Sequence, residues 1–150
     1  MPLAAWCQWI QSTAVSAALR ESTWGFPIVG ALHVLGIAWF GGALLVADLR
    51  RMGVALRSEP LAEVARPLRW WMRTGLAAML LTGGLLFWVE PLKCYQSTAF
   101  RAKMGLLLLL AANAWLHRRA ATPGRLRLAA ACSLALWAAV ILAARGIAFL

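Results

Sequence analysis

Four long apolar stretches, divided by short polar connections, constrain this chain more than any other feature. They run from about 27 to 46, 70 to 89, 99 to 117 and 128 to 147, each about 20 residues, the length at which a helix matches the hydrocarbon core of a bilayer. No soluble core could cover them all. Of the 150 residues, 63% are hydrophobic and 13% charged, against about half and about a quarter in a soluble domain. The chain therefore reads as all-α, an integral membrane four-helix bundle. It forms a single membrane domain over 1–150, because four spans and their loops consume nearly the whole length.

The boundaries carry local signals. Pro27 suits the first turn of the first span, and Asp48-Leu49-Arg50-Arg51 bounds its far end. Gly83-Gly84 lies inside the second span, and Thr122-Pro123-Gly124 is a turn between the third and fourth. Upstream, from about 3 to 20, Leu3, Trp6, Ile10, Ala14 and Ala17 recur at helical spacing while Gln8, Gln11 and Ser12 fall on other faces. That pattern predicts an N-terminal amphipathic helix lying in the membrane interface. The segment has no basic leader and is broken by polar residues, unlike a cleaved secretory signal.

A formal net charge of +10 would suggest nucleic acid as partner in a soluble protein, but its distribution points to membrane topology and no nucleic-acid role. Six of the 15 Lys and Arg lie between the first two spans or in the first turn of the second (Arg50, Arg51, Arg57, Arg66, Arg69, Arg73) and four between the last two (Arg118, Arg119, Arg125, Arg127). The positive-inside rule then makes both connections cytoplasmic. Both termini face out, to the periplasm of a bacterial inner membrane. Trp6, Trp9, Trp24 and Trp88 fall at the outer boundary and Trp70, Trp71 and Trp115 at the inner one, as interfacial tryptophans do. The partners this implies are the lipid bilayer and a membrane-protein partner or second copy.

His33 is the residue that structure alone explains least, since an ionisable group inside a span is by default a functional candidate. It sits six residues past Pro27, about 9 Å down the helix. Its structural explanation is a neutral imidazole hydrogen-bonded to a carbonyl or hydroxyl of a neighbouring helix. Lys103 lies four residues past Ala99, about 6 Å in from the same side, so the two share a level. Arg145 stands near the outer end of the fourth span. For Lys103 and Arg145 the competing account is snorkelling to lipid phosphates. His117 lies far down the third span beside Arg118 and Arg119, which separates it from His33 by much of the bilayer and disfavours a bis-histidine haem between them.

Cys7 and Cys94 both fall on the outer side, where an oxidising compartment permits a disulfide between the interfacial helix and the middle connection. Cys132, inside the fourth span, reads as an inert buried thiol. Asp48 beside Arg50 and Arg51 reads as an interfacial ion pair. The glycines at 30, 36, 41, 42, 83 and 84 permit close helix contact or make room for a flat cofactor. The sequence contains no nucleophile elbow, phosphate loop or HExxH, and no carboxylate at mid-membrane depth to relay protons.

The whole chain resembles a family of uncharacterised small bacterial four-helix inner-membrane proteins. The likeness is carried by Trp9-Ile10-Gln11-Ser12-Thr13, Arg20-Glu21-Ser22, Phe26-Pro27, the His33 segment, Asp48-Leu49-Arg50, Cys94-Tyr95, Phe100-Arg101 with Lys103, His117, and Arg145 with Ile147-Ala148. More distantly, the first span, ALHVLGIAWFGGALLV, is similar to the first-helix motif of copper-resistance protein D and of HemJ-type membrane protoporphyrinogen oxidases. The HemJ resemblance implies haem b associated with a first-helix His and a later Lys, here His33 and Lys103.

Three classes of function follow. The first is a haem b or porphyrin-binding redox protein, with His33 as metal ligand, Lys103 as second ligand or propionate partner, Arg145 and Arg101 neutralising propionates, and Trp39 packed on the macrocycle. The second is a non-catalytic accessory or assembly subunit of a membrane complex, with His33 only a packing hydrogen bond. The third is metal or small-molecule handling, for which the scattered Met1, Met52, Met72, Met79 and Met104 offer no ligand array.

Overall fold

The computed structural model of the chain describes residues 2–117 and 122–146, and those residues are helical with short connections. In chain order the elements are α1 (Pro2–Gln11), α2 (Ala14–Glu21), α3 (Gly25–Met52), α4 (Leu61–Val89), α5 (Pro91–Gln96), α6 (Thr98–His117) and α7 (Pro123–Gly146). Four of them, α3, α4, α6 and α7, are long and apolar enough to cross a membrane. Their outward faces present Leu32, Val34, Leu81, Leu108 and Leu142, each at least half exposed, as expected of helices that are apolar all round. Arg118, Arg119, Ile147 and Ala148 lie outside the described residues, as does the side chain of His117.

Where the sequence predicted one amphipathic helix over 3–20, the structure has two. Ser12 and Thr13 donate their hydroxyls to the carbonyls of Trp9 and Ile10, at 2.8 and 2.7 Å, which closes α1. Thr13 then turns extended, φ −66° and ψ 145°, and its Oγ1 accepts from the Ser16 amide as the N-cap of α2. Short hydroxyl side chains compete with the helix in this way because they offer the backbone an alternative partner. The break lets α2 reach the end of α4. Ser16 is fully buried, and its Oγ lies 3.2 Å from the carbonyls of both Trp88 and Val89, groups that a helix end leaves without a partner of its own. The Trp88 indole N–H donates in turn to Thr13 Oγ1 at 3.3 Å.

Two long helices extend well beyond their apolar stretches. α4 begins nine residues before Trp70, so Glu63, Arg66 and Arg69 are helical, with Pro67 inside the helix. α7 begins at Pro123, the first-turn position a proline tolerates. Hydropathy marks the segment that lipid can solvate, whereas capping decides where the helix stops. At the end of α3 that stop is Gly53, in the left-handed region at φ 74°, whose amide bonds the Leu49 and Arg50 carbonyls.

α3 is the hub of the bundle. It packs along α4 on one side and α7 on the other, and α6 packs on α7. Among the described residues the α4 and α6 backbones do not come close. Their side chains meet in a Phe87–Phe100 ring stack, 5.9 Å between centroids. α3 and α4 touch at bare backbone. A Cβ on Gly36 would lie 3.2 Å from the Met79 amide, and one on Gly75 would lie 2.9 Å from the Phe40 amide. Beside that seam Phe40, Leu44, Met79, Leu110, Trp137 and Val140 form the buried core, with Phe40 edge-on to the Trp137 indole at 5.2 Å.

The seam makes opposite predictions for two glycines of one helix. Gly75→Val drives its side chain into the α3 backbone and should cost about 1–3 kcal/mol, the usual penalty of overpacking. Gly84 has nothing within 4 Å of a Cβ position, so Gly84→Ala should be neutral or stabilising by up to about 1 kcal/mol. Thermal unfolding in detergent reads both; equal effects would contradict the packing.

Candidate functional site

α3 and α4 run antiparallel, and the register that sets Gly36 against Met79 and Phe40 against Gly75 places His33 opposite Thr82. The half-buried His33 brings its Nδ1 to 2.9 Å from Thr82 Oγ1. That hydroxyl has a single proton, and Thr82 Oγ1 lies 2.6 Å from the carbonyl of Ala78, one turn back in its own helix. The short contact takes the proton, so Thr82 accepts from His33. That order makes Nδ1 the protonated ring nitrogen and Nε2 the unprotonated one, and the Met79 backbone is a further hydrogen-bond partner of the ring. The neighbouring Gly83 lets the ring approach α4, since a Cβ there would sit 3.0 Å from His33 Cε1.

Lys103, five residues into α6, is the second member. It is partly buried, and its Nζ stands 5.3 Å from the centre of the Phe100 ring, within the range of a cation–π contact. Its charge acts on both His33 of α3 and Cys94 of α5. An imidazole, an ammonium and a thiol from three elements are thus gathered at the end of the bundle that carries α1, α2 and α5. Cys94 lies in the short helix outside the long spans, where burial pushes its thiol up while the Lys103 charge opposes the shift.

The other sequence candidates divide. Arg145 is exposed in the last turn of α7, and Gly146 beside it approaches Ala99 at the start of α6, so Arg145 shares the end that holds Lys103. Arg101 is exposed and turned toward its own helix start, with a guanidinium nitrogen 3.5 Å from Thr98 Oγ1. Trp39 does not join His33. Six residues on, at about 100° per residue, it faces a different direction, and its ring lies 5.1 Å from that of Trp71 on α4. Those two tryptophans, with Gly42, Val46 and Pro67, line a groove of about 570 Å³ on the bundle's outer surface. Its lining is apolar apart from the two indole N–H groups, so it offers no ionisable side chain to a reacting group. His117 closes α6 at the opposite end, 14 residues from Lys103, or about 21 Å along the helix. Cys7 and Cys94 are free thiols in the structure, Cys7 buried and Cys94 partly so.

Thr82 and Gly83 complete the site and were not singled out with His33 from sequence. A threonine within an apolar span, directly before Gly83-Gly84, is the signal that was available. Asp48, read as an interfacial ion pair, does bond Arg51 at 2.6 Å, but its carboxylate is fully buried and its Oδ2 has no partner among the described residues. No group of three or more His, Cys, Asp or Glu among the described residues is placed to hold a metal ion. His33 can thus contribute one ligand, to a metal that brings the rest of its coordination with it.

Residues 22–150 match the model of a protein family described as a family of unknown function, DUF6644. The chain belongs to that family. No curated protein and no solved structure matches it.

The hydrogen-bond order assigned to Thr82 is directly measurable. Imidazole nitrogen shifts of ¹⁵N-histidine-labelled protein should show His33 protonated at Nδ1. Thr82→Ser should keep that tautomer and Thr82→Val should release it to a mixture. A wild-type ring protonated at Nε2 would reverse the assignment.

Proposed function

We propose that this member of the DUF6644 family is a four-span protein of the bacterial inner membrane that binds haem b or a related porphyrin in its outer leaflet, with a redox role. The observation that carries the reading is the contact of His33 Nδ1 with Thr82 Oγ1, whose own proton goes to the Ala78 carbonyl; with Thr82 accepting from Nδ1–H, Nε2 is left as the lone-pair donor. Histidines that ligate metals are held in this way, the second nitrogen donating to a fixed acceptor that sets tautomer and ring direction. A porphyrin brings its own ring nitrogens, so a single protein imidazole is enough to hold its iron, whereas a bare ion needs more ligands than this end of the bundle collects.

In this reading His33 would hold the iron through a ring nitrogen, and Lys103 would supply either a second ligand or the charge that pairs with a propionate. Arg145, at the same end, is a second propionate partner. When bound, the group supplies one-electron redox chemistry at iron. The protein's part is to keep the imidazole neutral and oriented and to seat two cations beside it. Trp39, whose ring lies against Trp71, and Arg101, whose guanidinium lies by Thr98, are not called on in it. The orientation rests on charge. The helix ends and the connection remote from α1 carry Arg50, Arg51, Arg57, Arg66, Arg69, Arg125 and Arg127, which makes that end cytoplasmic and sets both termini outside.

A second reading draws on the same hydrogen bond. A histidine that only ties α3 to α4 through Thr82 is what an accessory or assembly subunit without a cofactor would contain. An absorption spectrum separates the two. Protein purified in detergent from haem-replete cells should show a Soret band that His33→Ala abolishes and Thr82→Val weakens or shifts. A colourless wild type overturns the haem reading. A stoichiometric co-purifying partner, with His33→Ala behaving as wild type, establishes the accessory one.

A further inference from the structure

α1 and α5 pack on one another at the end of the bundle that holds His33 and Lys103, and each carries one cysteine. Cys7, midway along α1, is 8% exposed, and Cys94, midway along α5, is partly buried. The two thiols lie near enough to interact electrostatically, although 87 residues (94 − 7) separate them in the chain. The third cysteine, Cys132, is exposed on α7, one of the long spans, and belongs to a different surface.

Little else fastens α1. Among its described side chains only Cys7 and Ile10 are buried, while Trp6 and Trp9 are 65% and 62% exposed. Two exposed indoles suit a membrane interface, but they leave the helix attached to the bundle over a small area. A covalent tie at Cys7 would use the one polarisable atom that α1 already buries against its neighbour.

We propose that Cys7 and Cys94 are joined in the mature protein by a disulfide that pins α1 to α5 over the His33–Lys103 end of the bundle. This rests on the outward orientation proposed above, which puts both thiols in an oxidising compartment. In forming the bond the two thiols lose two electrons and two protons to the disulfide of a thiol–disulfide oxidoreductase, so one S–S bond forms here as another is reduced to two thiols. The tie is structural and not a switch. Cys7 is buried and Cys94 partly so, so an attacking thiolate reaches the bond slowly once the helix is docked.

The test counts free thiols. Cells making the full chain are acid-quenched, denatured and alkylated with N-ethylmaleimide before and after reduction, and the purified protein is weighed intact. The expected result is one adduct without reduction, on Cys132, and three after it; in Cys132→Ser the counts become none and two. Cys7→Ser should expose Cys94 to the reagent without reduction, and if that variant does not accumulate, the wild-type counts decide alone. Three adducts on the unreduced wild type, or protection of Cys132, overturns the proposal. Oxidised glutathione applied to that reduced, detergent-purified protein then shows which premise failed. A bond that forms under these conditions faults the orientation, and none faults the juxtaposition.

Discussion

The architecture depends on how closely α3 approaches α4. In helices that are apolar on every face, hiding apolar surface does not favour one face over another, so close packing contact has to decide which faces meet. Gly36 and Gly75 answer that demand by letting backbone meet backbone, each from its own helix. Once they interlock, the antiparallel register is set for the whole length of the pair. Phe40 is carried into the core against Trp137, Trp39 is left on the far side with Trp71, and His33 falls opposite Thr82.

Polar groups are sorted to the two ends of this bundle. At one end α2 satisfies the last carbonyls of α4 through Ser16, and His33, Thr82, Lys103 and Cys94 lie toward that same end. At the other end lie Asp48 and the arginines of the α3 end, the α4 start and the α7 start. Asp48 is the costlier residue, because a fully buried carboxylate with one oxygen bonded to Arg51 and the other without a partner among the described residues gives up hydration that a single contact replaces only in part. Its depth follows from the helix, which continues to Met52 and so keeps Asp48 within the packed face of α3.

Part of the site was legible because depth can be counted. Six residues from Pro27 and four from Ala99 put His33 and Lys103 at one level, and the structure has the Lys103 charge acting on His33. Arg145 followed from the same count. Trp39 was misplaced because counting depth ignores azimuth. Thr82 was overlooked because its role exists only in a particular register between two helices, and no single-helix periodicity carries that register. The break in the N-terminal helix was written in Ser12-Thr13, yet the apolar spacing of Leu3, Trp6, Ile10, Ala14 and Ala17 ran across it and outweighed the capping signal.

The sequence by itself determined an all-helical chain with four helices long and apolar enough to cross a membrane and a basic bias to their connections, because length and hydropathy act locally and need no partner. Only the tertiary structure decided which helices touch, which nitrogen of His33 carries the proton, and that Cys7 and Cys94 come near each other. Those are properties of the space between elements, and they depend on where glycines allow two backbones to meet.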